Sequence, residues 1–402
     1  MNPSLQESQS HVIIEVRGNA GLITLNRAKA LNALSLPMIR QITAALLDWI
    51  AQPAIKCVAI RGMGKDANSA SGSSPFGAFC AGGDIRFFHQ AALSGNPELE
   101  DFFTEEYALN HLIHTYPKPY IAFMDGIVMG GGMGISQGAR QRIVTERTKM
   151  AMPETGIGLF PDVGGGYFLS RCPGRVGEYL ALTGQVINDA QAVVYGLADF
   201  ALHADSLPQL WESLATTPFL NETEVNRAVQ QYYIDRMQFG PEAQDDPFER
   251  HRRDFNEAFK KLKPQIDHFF ALPTVSEIVQ ALEADPSDWA RETAATLRKR
   301  SPLMLHVVLE QIRRARSMSL ADNLRMERDM VRHCFHTQHL QRSGTSSKPC
   351  SETVEGIRAL AVDKDHAPKW NPARIEEVTQ EMVQPFFISP WPASAHPLRN
   401  LI

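Results

Sequence analysis

Two glycine-rich turns, each preceded by a short apolar run, constrain this chain more than any other feature. Ala81-Gly82-Gly83-Asp84 follows one such run, and Gly130-Gly131-Gly132-Met133-Gly134 follows the strand and turn Tyr120 to Val128. Glycine lets backbone N–H groups come close to a ligand and admits positive φ. If each turn opens a helix, two N–H groups can converge on one oxygen, and helix N-termini favour developing negative charge there. That is an oxyanion hole built without side chains. Taken singly, each turn reads as well as a tight strand-to-helix connection.

The flanking sequence decides the fold class. Val12 to Val16 and Leu22 to Leu25 are β-branched or aliphatic runs around Gly18-Asn19, a hairpin-like pair of strands. Ser35 offers an N-cap with Pro37 in the first turn, and Leu36, Ile39, Ala45, Leu46, Trp49 and Ile50 recur at helical spacing. Cys57 to Ile60, Tyr120 to Met124 and Ile143 to Thr145 read as strands, and Glu98 to His114 as a helix. Strand and helix alternate, which makes the fold class α/β. Beyond Pro173 the pattern turns helical, with Val176 to Leu182, Asp189 to Tyr195, Leu207 to Leu214, Glu222 to Met237, Pro247 to Leu262 and Met304 to Arg314 as amphipathic segments. A chain of 402 residues exceeds one ordinary compact unit. We expect an α/β core over residues 11–200, a helical region over 201–388 and a tail over 389–402. Two small, polar, glycine- or serine-rich stretches, 65–77 and 336–352, are expected to be surface loops.

Several function classes drop out on composition. A net charge of -5 offers no basic field for nucleic acid. The most apolar stretch, Tyr120 to Ser136, is broken by Asp125 and glycines and is too short to span a bilayer. Cys57, Cys80, Cys172, Cys334 and Cys350 are odd in number and scattered, so reduced thiols are expected rather than a disulfide framework or a structural zinc site. The opening MNPSLQESQS has neither a signal-peptide pattern nor the arginine bias of a transit peptide, and a cytoplasmic protein is expected.

Chemistry is suggested by MPETGIGLFPDVGGG, Met152 to Gly166, where Glu154 and Asp162 stand in an otherwise uncharged, glycine- and proline-rich segment. Carboxylates in such company are poised for acid–base work or serve as caps and loop solvators. FCAGGD, DGIVMGGGMG and MPETGIGLFPDVGGG, in that order, resemble the crotonase (enoyl-CoA hydratase/isomerase) superfamily, and LALTGQVINDAQAVVYGLAD is similar to its following helices. FFTEEYALN, the FPDVGGG ending, SPLMLHVVLEQIRRA and VDKDHAPKW resemble its 3-hydroxyisobutyryl-CoA hydrolase branch.

The resemblance implies a crotonase-like spiral of ββα units and an acyl-CoA thioester hydrolase of valine degradation, with CoA as part of the substrate and no permanently bound cofactor or metal. It implies oxyanion-hole amides at Gly83 and Gly131 and acyl-pocket acids at Glu106, Glu154 and Asp162. Glu154 would attack the thioester or activate water, Asp162 would orient water or shuttle a proton, and Glu106 would bind the substrate's 3-hydroxyl. Asp162 is expected to be the neutral member of the three in the bound state. CoA is expected along residues 25–32, at Arg27, Lys29 and Ala30, with Ala28 where the family usually carries proline. Hydratases of the superfamily place the first of two glutamates where this chain has Gly134, so hydrolysis fits better than hydration or isomerisation, the alternative. Homo-oligomerisation is left open.

Two other patterns were weighed. Gly134-Ile135-Ser136-Gln137-Gly138 matches the G-x-S-x-G elbow of serine hydrolases in form, although glycines rather than a strand precede it. His333, His336 and His339 with Cys334 invite a metal reading, but three-residue steps spread them too widely around a helix.

Overall fold

The computed structural model describes residues 10–65, 75–239, 247–335 and 351–402. Its strands are β1 (Val12–Arg17), β2 (Ala20–Leu25), β3 (Cys57–Gly62), β4 (Tyr120–Met124), β5 (Ile127–Met129), β6 (Gln141–Val144), β7 (Lys149–Ala151) and β8 (Phe200–Ala201). β1 and β2 form the expected hairpin about Gly18-Asn19, and β3, β4, β6 and β8 add in parallel to give the order β1-β2-β3-β4-β6-β8. β5 and β7 make a separate parallel pair.

The helices of the first half are α1 (Leu36–Ile50), α2 (Ile85–Ser94), α3 (Glu98–His114), α4 (Gly131–Gln137), α5 (Gly165–Leu169), α6 (Val176–Thr183) and α7 (Asp189–Val194). Then come α8 (Leu207–Thr216), α9 (Glu222–Phe239), α10 (Pro247–Phe270), α11 (Val275–Ala284), α12 (Asp288–Leu297), α13 (Pro302–Ala315), α14 (Leu320–Phe335), α15 (Glu352–Ile357) and α16 (Gln380–Val383).

The central strands are covered on both faces, which is why they read as near-continuous apolar runs. Ile23, Leu25, Val58, Ile60, Ala122 and Met124 face the larger core, where α1 contributes Ile39, Ile42, Leu46 and Trp49. The alternate residues Ala20, Leu22, Cys57, Ala59, Ile121 and Phe123 pack on Leu207, Leu210, Trp211 and Leu214 of α8. The larger core continues through α13 and α14 as far as Leu398, so the helical second half and the α/β first half are packed as one body.

The structure departs from the sequence expectations at three points. Helix α10 runs on through Pro264 to Phe270, because one proline removes one backbone bond from a helix whose buried face continues at Ile266, Phe269 and Phe270. Helices α2, α11, α12 and α14 were not anticipated, although α11 buries Val275, Ile278, Val279 and Leu282 at helical spacing behind a Thr274–Glu277 capping box. Strands β5 and β7 have three residues each, too few for any period to register. Of the two expected loops, 66–74 and 336–350 lie outside the described residues, and Glu352 opens α15.

Candidate active site

The two glycine turns are brought together by a short parallel ladder. The Cys80 N–H donates to the Ile127 carbonyl at 2.9 Å and the Met129 N–H to the Cys80 carbonyl at 3.0 Å, so residues 80–83 run beside β5. On its other side the same segment is held by Leu34, whose N–H donates to Gly82 O at 2.8 Å and whose carbonyl accepts from Asp84 N–H at 3.1 Å. In a parallel bridge of this kind the central residue's own N–H faces away from the partner, which turns the Gly83 N–H away from Leu34 and toward β5. Gly131 is the first residue of α4, where an N–H has no carbonyl four residues back. The turns touch: a Cβ on Gly82 would lie 3.7 Å from the Gly131 nitrogen.

Glycine is required here by what stands above it. A Cβ on Gly131 would come within 2.5 Å of Glu106 Oε1, and one on Gly130 within 3.0 Å of Glu154 Oε1. Gly130 also has φ 47 and ψ -120, a conformation closed to residues with side chains. The backbone and two carboxyls are therefore in contact range by construction.

Above the turns opens a pocket of about 360 Å³ that gathers Gly83, Gly131, Glu106, Glu154 and Asp162, with Ile85, Phe88, Met129, Leu159 and Val163 among its apolar walls. Glu106 comes from the buried side of α3, Glu154 opens a single turn of 3₁₀-helix after β7, and Asp162 sits on the loop before α5. All three acids are buried. Glu106 Oε1 and Glu154 Oε2 have no hydrogen-bond partner, whereas Asp162 Oδ2 accepts from the Tyr107 hydroxyl at 2.9 Å.

Burial is the main force on their protonation. It drives Glu106 and Glu154 well above the usual carboxylate range, with the charge of Asp162 adding to both. Burial lifts Asp162 too, to about 7, against the Tyr107 hydrogen bond and its own backbone N–H, both of which favour the ionised form. The phenol donor favours the ionised form of Asp162, a donor that neither glutamate has.

The loop carrying Asp162 is braced from behind. Val163 is held at φ 54 and Gly164 at φ 89, so the chain turns sharply after Asp162. Glu327 of α14, fully buried, accepts from the Gly164 N–H at 2.7 Å and the Gly166 N–H at 2.9 Å. It also accepts from Asn323 Nδ2 at 2.8 Å and Gln311 Nε2 at 3.1 Å, and Gln311 Nε2 donates to Pro161 O at 2.7 Å. Neither Tyr107 nor Glu327 was singled out from sequence. Tyr107 stands beside Glu106 in FFTEEYALN, and Glu327 falls on the apolar stripe of Leu324, Met330 and Val331, a charged residue at a core position.

The residues expected to hold CoA lie apart from the pocket lining. Arg27 Nη2 pairs with Asp84 Oδ2 at 2.8 Å and Nη1 donates to Ala33 O at 3.0 Å, tying the 28–30 turn to the N-cap of α2 directly after Gly83. Lys29 is exposed and Ala30 half-buried. Arg300, not anticipated, lines the pocket from the far side, with Nε donating to Thr183 O at 2.9 Å.

The two rival patterns fare differently. Ser136 lies inside α4, fully buried, and its hydroxyl donates back to Gly132 O at 2.8 Å, so no nucleophile elbow is formed. His336 and His339 fall outside the described residues, and His333 packs on Phe386 with ring centroids 4.3 Å apart. Among the described residues no group of His, Cys, Asp and Glu side chains has the geometry to hold a metal ion. Cys57, Cys80, Cys172 and Cys334 are buried free thiols, and burial pushes the Cys80 thiol beside the first glycine turn up to about 12.

The family model for enoyl-CoA hydratase/isomerase matches residues 20–387. The chain belongs to the enoyl-CoA hydratase/isomerase family. Within it, the chain is 38% identical over 372 residues to the mitochondrial 3-hydroxyisobutyryl-CoA hydrolase of Xenopus tropicalis, covering 92% of this chain and 87% of that protein. It is 36% identical over 383 residues to the protein of the same name from Homo sapiens, covering 95% and 90%. Among solved structures, a carnitinyl-CoA dehydratase from Mycobacterium thermoresistibile superposes with TM-score 0.78 at 34% identity, covering 97% of this chain and 99% of that one. An enoyl-CoA hydratase from Rhodobacter sphaeroides 2.4.1 gives 0.76 at 33%, covering 95% and 98%. The fold is thus the crotonase α/β fold, and the helical second half belongs to the matched architecture.

Proposed function

We propose that this family member is an acyl-CoA thioester hydrolase acting on a short 3-hydroxyacyl-CoA, 3-hydroxyisobutyryl-CoA above others, to give 3-hydroxyisobutyrate and CoA in valine degradation. The observation that carries the reading is the placing of the buried Glu154 carboxyl against Gly130, beside the Gly131 amide, with Oε2 lacking a hydrogen-bond partner. A carbonyl oxygen seated between the N–H groups of Gly83 and Gly131 presents its carbon to that carboxylate. Attack by a Glu154 oxygen makes a mixed anhydride and breaks the C–S bond; the thiolate leaves with a proton, and water opens the anhydride to regenerate Glu154. In the variant route Glu154 takes a proton from the attacking water instead. Asp162, lifted to about 7, is suited to receive the proton that Glu154 sheds and to pass it to the departing thiolate. Glu106, on the adjacent wall, accepts the substrate's 3-hydroxyl.

Hydration is the second reading, favoured by the names of the two solved structures. Against it stands Gly134, where a Cβ would meet Val163 Cβ at 2.7 Å: there is no side chain at the position of the first hydratase glutamate and no room for one without a shift. No permanent cofactor is invoked. CoA is proposed to lie along residues 25–32, with Lys29 free to meet phosphate and Arg27 shaping the turn. Among the described residues no helix is long and apolar enough to cross a membrane. The buried free thiols suit a reducing compartment; we propose the cytoplasm, although the curated relatives are named mitochondrial, and cell fractionation separates the two.

Two assays on the purified protein decide between the chemistries. Thiol release from 3-hydroxyisobutyryl-CoA, with hydration of a short enoyl-CoA at background, is the expected result. Hydration with the thioester left intact would overturn the proposal.

A further inference from the structure

The acid at 162 is held in place from three directions, and one of them has no counterpart in the chemistry already described. Tyr107 fixes the carboxyl itself, while Gln311 grips the Pro161 carbonyl before it and Glu327 grips the Gly164 and Gly166 amides after it. Glu327 is fully buried, with a nitrogen donor from each of two backbone amides and two side-chain amides. Four nitrogen donors favour its ionised form, since a neutral acid would turn its own O–H against one of them. Burial works the other way and prevails over the donors, pushing it up to about 8, with the charge of Asp162 adding to the rise. The backbone it holds is at positive φ at Val163 and Gly164, a conformation that relaxes unless its surroundings fix it.

We propose that Glu327 is a positioning residue for the reaction: through the Gly164 and Gly166 amides it sets where Asp162 stands in the pocket, without touching substrate. This rests on Asp162 taking part in the chemical step. A misplacement of about 1 Å costs roughly a hundredfold in rate where geometry is critical, so Glu327→Gln should lower kcat by roughly tenfold to a hundredfold with KM little changed. The amide keeps one acceptor and puts an NH₂ against the other donors.

The decisive experiment is a kinetic cycle with Asp162→Asn. If Glu327 acts through Asp162, the loss caused by Glu327→Gln disappears in the Asp162→Asn background. An equal loss in both backgrounds would mean that Glu327 only stabilises the fold and would overturn the proposal. Full turnover in Asp162→Asn itself would instead remove the role given to Asp162, and the positioning role with it. Should Glu327→Gln fail to fold, Gln311→Met carries the same cycle, because Gln311 grips the loop from the other side. Its smaller loss should again be confined to the background that retains Asp162, and a loss that persists without Asp162 contradicts the inference.

Discussion

Glu327 and Glu154 are both buried in one continuous core, at 0% and 6% exposure, yet they are treated in opposite ways. Glu327 takes four nitrogen donors. Glu178 of α6, equally buried, takes Arg316 at 2.7 Å and Arg175 at 2.9 Å. In the pocket, Glu154 Oε2 and Glu106 Oε1 take none, and no arginine or lysine is paired with either among the described residues. Burying a carboxyl oxygen without a donor costs stability, so a fold that satisfies Glu327 and Glu178 and leaves one oxygen bare on each of these two supports the substrate-binding role proposed for them. The difference separates acids bonded into the structure from the acids proposed to meet a substrate, and burial by itself does not.

The largest expected effect follows from the protons these acids retain. Asp162 has its folded value lifted from 3.8 to about 7, and Glu106 and Glu154 are lifted well above 4.5. Between those limits the folded protein binds more protons than the unfolded chain. Stability from these groups is therefore fully present below pH 4 and is lost as pH rises through 7. Asp162→Asn should flatten that decline in urea midpoints followed from pH 4.5 to 8; curves that stay parallel to the parent would refute the assignment.

A smaller effect is expected at Glu106. The hydrogen bond proposed between it and the substrate hydroxyl would be worth about 1.4 kcal/mol, so Glu106→Leu should cut the preference for 3-hydroxyisobutyryl-CoA over isobutyryl-CoA about tenfold. Fold stability should not fall, because an unpartnered acid gives way to an apolar side chain. Equal losses with both thioesters would move Glu106 from substrate recognition into the chemical step.

Much of the pocket was legible in the sequence, for identifiable reasons. Gly83 and Gly131 announce themselves through turns in which close approach, and positive φ at Gly82 and Gly130, leave glycine as the residue of choice, and Glu154 and Asp162 stand out in an uncharged segment. Glu106 needed the family resemblance, since one glutamate in a helix with Glu98, Glu100 and Glu105 carries no sign of which side is buried. Tyr107, Gln311 and Glu327 were missed because their partners lie far along the chain: Tyr107 and Asp162 are 55 residues apart, and Glu327 and Gly164 are 163. Such pairings are a property of packing between α3, α13, α14 and the 161–166 loop. The α/β sheet was legible from periodicity, whereas α14 was not, because Asp322, Arg325, Glu327, Arg328 and Asp329 obscure its apolar stripe.

The contrast between the two kinds of buried acid is tested most directly by Glu154→Gln, measured at once for turnover and for unfolding free energy beside Glu178→Gln. Glu154→Gln should lower thiol release by roughly a thousandfold while leaving the urea midpoint unchanged or higher. Glu178→Gln, which abandons two arginines, should lose about 2 kcal/mol of stability. A Glu154→Gln protein that is as destabilised as Glu178→Gln, or that still releases thiol at the parent rate, would contradict the account.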